Sequence, residues 1–226
     1  MQFGKGILPA KEYLSNGLFS IQNCYSEAES SFNQQLHFHD FYELSLIYEG
    51  SSRFLINGSS FVAAAGSLQL IRPSDYHRQM TDTGEYIRYY NLIFRQEVLS
   101  NVLLDALEEV VEPFCFQMQE KEMQKMTQLL LELKREQEEK EAFWEKMSAD
   151  LIEKICILIL RKSPKKRQAK EEEIPEAVRR SLVFVRQHYR EKIRLSDAAQ
   201  KAGLSESYFS SVFHACMGVT FSEYML

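Results

Sequence analysis

The sequence predicts an α+β chain: a small N-terminal β-barrel, then two long helices, then a C-terminal three-helix helix-turn-helix unit. Three observations lead there. Residues 1 to about 95 hold β-branched and aromatic runs cut by turn signals every ~8–12 residues. From about Arg95 the apolar period becomes helical. The stretch from Leu195 to Tyr224 reads as helix, tight turn, helix, and a third helical start.

In the first part, Tyr42 to Tyr48 alternates partly and is expected to stop at Glu49-Gly50. Arg53 to Ile56 and Phe61 to Ala63 flank Asn57-Gly58, whose residues both accept positive φ and so predict a hairpin. Ser67 to Ile71 ends before Pro73, and Tyr86 to Phe94 reads as another strand. Alternating short strands of this kind suggest a barrel or a sandwich.

In the second part, Met123, Met126, Leu130 and Leu133 form one apolar stripe. Trp144, Met147, Leu151, Ile155 and Leu158 form another. Glu132 to Lys146 is densely charged between them, which predicts two amphipathic helices with a turn near Lys140. The stripes suit either packing on the chain's own barrel or a dimer face.

Arg161 to Glu173 switches from a basic run to Glu171-Glu172-Glu173 and holds no apolar cluster, as a linker would. The expected organisation is a barrel over 1–95, a helical segment over 96–162, a linker over 163–174 and a small helical unit over 175–226. Pro175 suits a first helical turn. Val178, Leu182, Val185 and Tyr189 share a helix face.

The last unit needs a small residue where helices cross, and Ala199 supplies it. Its turn needs positive φ, which suits Gly203. Ser205 can cap the next helix through the amides of Ser207 or Tyr208. Phe209, Val212, Phe213 and Cys216 give that helix an apolar inner face. Ser205, Glu206, Ser207, Ser210, Ser211 and His214 are then left outward, where a groove-reading helix would touch DNA.

The set Leu195, Ala199, Gly203, Ser205, Tyr208, Phe213, Gly218, Phe221 and Tyr224 resembles the first helix-turn-helix of the AraC/XylS family of bacterial transcription regulators. That resemblance implies an effector-sensing domain, DNA as partner, a homodimer and a second such motif. No second motif follows before Leu226, so DNA binding is expected to be weakened. The apolar side around Phe221 and Tyr224 is expected to be exposed.

Composition fits this expectation. The chain has 226 residues and a formal net charge of −5, yet residues 161–226 hold 13 Lys+Arg against 8 Asp+Glu. The basic excess suits either a DNA-contacting module or a solvated hinge. Arg179, Arg180, Arg186, Arg190, Lys192, Arg194 and Lys201 are candidate phosphate contacts. The outward serines are short and neutral, so base discrimination is expected to be low. No run approaches ~20 apolar residues and no secretion signal is seen, so a cytoplasmic protein without membrane contact is expected. Cys24, Cys115, Cys156 and Cys216 are scattered, as reduced thiols are.

A second constellation is His37, His39, Glu43 and Gly50, in the pattern HxH-x3-E-x6-G, with His77 after Pro73. It resembles the first motif of the cupin barrel, so the predicted barrel is cupin-like. Ser31 stands where that family has a glycine, and the spacing after Pro73 differs by one. His37, His39, Glu43 and His77 are candidate ligand-binding residues. They suit the polar wall of an effector pocket, a structural cluster, or a site for a divalent metal. No resident cofactor is expected. A Gly-rich phosphate loop, G-x-S-x-G and HExxH are all missing, and no enzymatic role is expected. Two alternatives stay open: a ligand-binding or heterodimerising sensor module that does not bind DNA independently, and a metal-dependent cupin enzyme.

Overall fold

A computed structural model describes residues 10–14, 17–27, 32–33, 37, 39–57, 59–73, 75–110, 113–163, 176–188, 191–217 and 220–225. The chain divides into two compact units, Met1–Leu107 with Pro113–Ser163, and Glu108–Glu112 with Pro164–Leu226. Residues 164–175, which include Pro175 and most of the expected linker, lie outside the described residues.

The first unit opens with a short helix α1 (Ala10–Tyr13) and strands β1 (Phe19–Glu27) and β2 (Phe32–Asn33). Strands β3 (Tyr42–Ile56), β4 (Ser59–Ala64), β5 (Ser67–Ile71), β6 (His77–Thr81) and β7 (Tyr86–Phe94) follow. After a 3-10 turn at Gln96–Val98 come α2 (Asn101–Glu109), β8 (Phe114–Gln117), α3 (Glu120–Glu139) and α4 (Trp144–Lys162).

The sheet organises around β3, which runs on through Glu49-Gly50 instead of stopping there. Its first half pairs with β5 and β7, and its second half with β4 and β6. Between Ile47 and Glu49 the register with β7 shifts, which leaves Tyr48 as a bulge. Gly50 follows at φ 76°, and a Cβ there would lie 1.9 Å from the Tyr86 carbonyl oxygen. Only glycine lets the two backbones come that close.

The strand path is β1-β7-β3-β5-β8, and its ends do not meet. The expected closed barrel is therefore corrected to an open, bent sheet. The physical reason lies at the edges. At Ile21 of β1 the backbone already bonds the side-chain amide of Gln137 from α3. β8 is only four residues long and emerges in a segment that was expected to be helical. The expected hairpin does form, with Ile56 opposite Ser59 and Asn57 at φ 48°.

Strand alternation sorts the two faces of the sheet. One row runs Ile21, Leu92, Leu44, Leu70 and Phe114, all essentially inaccessible. The helices cover this side: α3 packs on β1, and Trp144 of α4 lies 6.1 Å from Phe19. Met126, Leu129, Leu130 and Leu133 are the buried face of α3, and Leu151, Ile152, Ile155, Cys156 and Ile159 that of α4. The α4 stripe is thus rotated from the expected one, and Met147 is exposed. The opposite sheet face carries Gln22, Asn91, Ser45 and Gln69 in one row, with Glu43 beside it.

The second unit contains α5 (Glu176–His188), α6 (Leu195–Ala202), α7 (Glu206–Met217) and α8 (Phe221–Tyr224). Val178, Val185, Ala198, Ala199 and Ala202 are buried. Gly203 ends α6 at φ 72°, and the Leu204 N–H donates back to the Ala199 carbonyl at 3.0 Å. Phe209 and Phe213 of α7 stack edgewise on Phe221 at 5.7 and 5.4 Å, and Phe213 on Tyr224 at 5.3 Å. Phe221 and Tyr224 are therefore buried, contrary to the exposure expected. Four aromatic rings give this small unit a core of its own.

Candidate functional site

The site begins at the entry to β3. His39 and Glu43 are four residues apart, and the chain turns at Asp40-Phe41 so that His39 Nε2 meets Glu43 Oε2 at 3.0 Å. His77, at the start of β6, brings its Nε2 to 3.6 Å from the same oxygen. Both histidines are buried, while 22% of the Glu43 side chain remains accessible. The three ligand atoms lie within 4.8 Å of one another. His37 bridges His77 through two backbone hydrogen bonds, and its ring sits 4.3 Å from that of His77. It adds no ligand atom to the group of three.

Backbone carbonyls set the tautomers. Nδ1 of His39 donates to the Phe41 carbonyl at 2.7 Å, and Nδ1 of His77 donates to the Asp75 carbonyl at 3.0 Å. A carbonyl cannot donate, so both Nδ1 atoms carry protons and both Nε2 atoms turn to Glu43. Burial would raise the Glu43 carboxyl, but hydrogen bonds from His39 and His77 and their charges outweigh it. The carboxyl is held well below its usual range. Burial pushes the His39 imidazole down, against the hydrogen bond to Glu43. Two neutral Nε2 lone pairs facing a carboxylate repel it, so one positive species belongs between them: a proton on an imidazole, or a divalent cation. Two imidazoles and a carboxylate, each Nδ1 tied to a carbonyl, are a donor set that can hold a divalent metal.

Other groups fix this arrangement. Asn91 Nδ2 donates to Glu43 Oε1 at 3.0 Å, and Ser45 Oγ lies 3.5 Å from Asn91 Oδ1. The His39 ring stacks on Phe41 at 3.9 Å, and Phe41 packs with Ala10, Leu14 and Ile93. Behind His77, Asp75 is paired with the buried Arg72 at 2.9 Å and accepts from Asn57 Nδ2 at 2.7 Å. Arg72 also donates to the Leu107 carbonyl at 3.1 Å. Sequence reading missed Ser45, Gln69 and Asn91. Their signal was a polar residue set between apolar neighbours on each strand: Leu44-Ser45-Leu46, Leu68-Gln69-Leu70 and Tyr90-Asn91-Leu92.

In the second unit, Ser205 Oγ accepts from the Tyr208 N–H at 3.4 Å, as its capping place demands. Glu206, Ser207, Ser211 and His214 are exposed and Ser210 is half-buried, all along one side of α7. Ser211 Oγ donates to the Ser207 carbonyl at 3.1 Å, so its hydroxyl proton is engaged within the helix. Tyr208, on the same helix, is 60% exposed. Two expected phosphate contacts have other partners. Arg180 donates to the Ala202 carbonyl at 3.3 Å, and the Lys201 ammonium sits 5.1 Å over the Phe184 ring. Lys192 and Arg194 are exposed. The side chains of Arg179 and Arg186, and all of Arg190, lie outside the described set.

Residues 23–153 match the AraC-like ligand binding domain. Residues 185–226 match the bacterial regulatory helix-turn-helix proteins of the AraC family. The chain belongs to the AraC family. As an AraC-family regulator it pairs a ligand-binding N-terminal domain with a DNA-binding helix-turn-helix.

Among solved structures, a lysine-to-alanine variant of apo ToxT from Vibrio cholerae is similar at 15% identity. The match covers 93% of this chain and 97% of that one, with a TM-score of 0.45. The plu4264 protein from Photorhabdus luminescens is similar at 24% identity over 36% of this chain and 67% of its own, TM-score 0.32. A cupin 2 conserved barrel domain protein from Salinispora arenicola is similar at 20% over the same shares, TM-score 0.32. No curated protein matches the chain. Among the described residues, no helix is long and apolar enough to cross a membrane.

Proposed function

We propose that this AraC-family chain is an effector-responsive transcription regulator, in which a small molecule bound beside Glu43 changes how the helix-turn-helix holds an operator. The observation that carries the reading is the His39–Glu43–His77 cluster. It is a buried, fully oriented polar group with one accessible carboxylate, in a chain that also carries a DNA-binding motif. His37, His39, Glu43 and His77 are its effector-side residues. Ser205, Glu206, Ser207, Ser210, Ser211 and His214 are its DNA-side residues.

Base reading is weak on this proposal, because no outward side chain of α7 can make a bidentate contact to guanine. The chain acts as a homodimer through α3 and α4, where Leu131, Met147 and Ile157 are exposed apolar residues on otherwise packed helices. The same observation supports a second reading, in which the helices pair with a relative and the chain modulates that partner's output.

The test is anisotropy titration of promoter fragments selected by the purified chain, across a salt series, alongside a promoter reporter in cells. The expected result is micromolar, steeply salt-dependent binding, and a reporter response that Glu43→Gln abolishes while DNA affinity persists. Nanomolar binding insensitive to salt, or a reporter response unchanged in Glu43→Gln, would overturn the proposal.

A further inference from the structure

Strand β4 is an open edge of the sheet: among the described residues it pairs with β3 and with no other strand. Its six residues, Ser59 to Ala64, include no charge and no proline, and their register against β3 is unbroken. Charges, prolines, bulges and covering groups are what keep an exposed strand edge from pairing with another chain. The β1 edge has such a cover in the Gln137 amide at Ile21. β8, at the other end of the strand path, is only four residues long.

Backbone direction fixes which groups of β4 are open. The Asn57 N–H donates to the Tyr76 carbonyl on the β6 side of β3 at 2.8 Å, so Ile56, Phe54 and Ser52 turn their polar backbone groups toward β4. Ser59, Phe61 and Ala63 receive those bonds. Ser60, Val62 and Ala64 then point away from β3, out of the edge. The Ala64 N–H obeys this direction and donates to Ser67 Oγ at 3.0 Å. The backbone N–H and C=O groups of Ser60 and Val62 have no partner among the described residues. Both residues are exposed, Val62 at 74%.

We propose that β4 pairs antiparallel with β4 of a second copy of this chain, about a twofold axis at Phe61. In that register Ser60 exchanges both of its backbone hydrogen bonds with Val62 of the second copy, and the axis repeats the exchange. Every open group of both edges is satisfied, and Phe61 faces its own counterpart, an arrangement that favours aromatic side chains. A two-residue shift one way would set Val62 against the hairpin turn. The other way would set Ser60 against Ala64, whose N–H Ser67 already holds. The charge pattern suits a copy. The strand itself is neutral, and Arg53, opposite Val62, is compensated by Asp82 at 2.7 Å.

The contact is one strand wide, well under the ~1,200–2,000 Å² of a standard interface, so it is weak alone. It would join helix-paired dimers into tetramers or larger assemblies. It does not depend on the helices: without their contact, β4 pairing turns monomers into dimers.

The experiment is sedimentation velocity of the full chain from micromolar to about millimolar concentration, with backbone hydrogen exchange at both ends of the series. The wild type should gain one association step as concentration rises, while exchange at the Ser60 and Val62 amides slows several-fold. The Ala64 amide should exchange at one rate throughout. Val62→Pro removes an outward donor without touching a bond to β3. Val62→Lys places like charges near the axis and, on an exposed side chain, should keep the wild-type Tm. Both variants should lose the step. A step that persists in folded Val62→Lys, or Val62 exchange independent of concentration, would overturn self-pairing. Leu131→Glu, on the helix face, should leave the high-concentration protection of Val62 in place; protection lost with it would overturn the β4 contact and leave the helix contact standing.

Discussion

The side-chain amide of Gln137 takes the place of a neighbouring strand at Ile21, accepting from its N–H at 2.8 Å and donating to its carbonyl at 3.1 Å. One amide group satisfies both backbone valences of an edge residue, and α3 is thereby tied to the sheet.

We expect Gln137→Ala to lower the stability of the first unit by about 1–2 kcal/mol, the usual worth of one or two such bonds. Gln137→Glu should be worse, because a carboxylate accepts from the N–H but confronts the Ile21 carbonyl with charge. Hydrogen exchange at the Ile21 amide should speed up in both. An unchanged exchange rate there would show the clamp to be unimportant.

Acid should weaken the fold in two stages. Burial lowers the His39 pKa, so below the unfolded value of about 6.5 the unfolded chain binds the proton first. Stability should fall from there as pH drops. Glu43 has its folded pKa lowered as well, so its contribution is present above about 4.3 and disappears as pH falls further. A Tm profile between pH 8 and 4 should therefore decline below 6.5 and steepen below 4.5. In His39→Gln the first stage should vanish; its persistence would assign that stage elsewhere.

The Arg72–Asp75 pair is buried on both sides. Arg72→Met or Asp75→Asn alone should cost about 3–5 kcal/mol, since each strands a buried charge. The double variant should lose much less than the sum of the two. Urea titration of the four chains gives the coupling, and strict additivity would mean that the ions do not stabilise each other.

Gly203→Ala should destabilise the helix-turn-helix unit by about 1–2 kcal/mol. Space is not the cause, because the nearest atom to an added Cβ is Arg180 Nη2 at 3.9 Å. The cost is the left-handed backbone itself. Gly203→Asn should recover part of it. If both variants unfold alike, side-chain crowding and not φ governs the turn.

What was legible in the sequence was local. Gly203, Ser205, Phe209 and Phe213 lie close enough along the chain for turn, cap and helical spacing to be read directly. The Asn57 hairpin was legible for the same reason. His39 and Glu43 are a short-range pair, whereas His77 joins them only through the pairing of β6 with β3.

The failures were non-local. Nothing near Ile21 says that Gln137 will occupy its edge from 116 residues away, so the sheet was expected to close on itself. Glu49-Gly50 has the composition of a turn. It became paired strand, just past the bulge at Tyr48, because Arg88 and Ile87 supply a partner backbone. Met147 matched the helical period but not the face that α3 and the sheet leave to be covered.

The bulge at Tyr48 separates what can evolve from what cannot. Before it, Glu43, Ser45 and Ile47 face one way; after it, Ser52, Phe54 and Ile56 are the buried set. One deletion at that point would turn half of the strand inside out. Descendants of this chain can thus acquire new chemical tastes by exchanging single side chains along β3, β5 and β7. They cannot do so by changing the length of β3, whose residue count is as fixed as the glycine that follows the bulge.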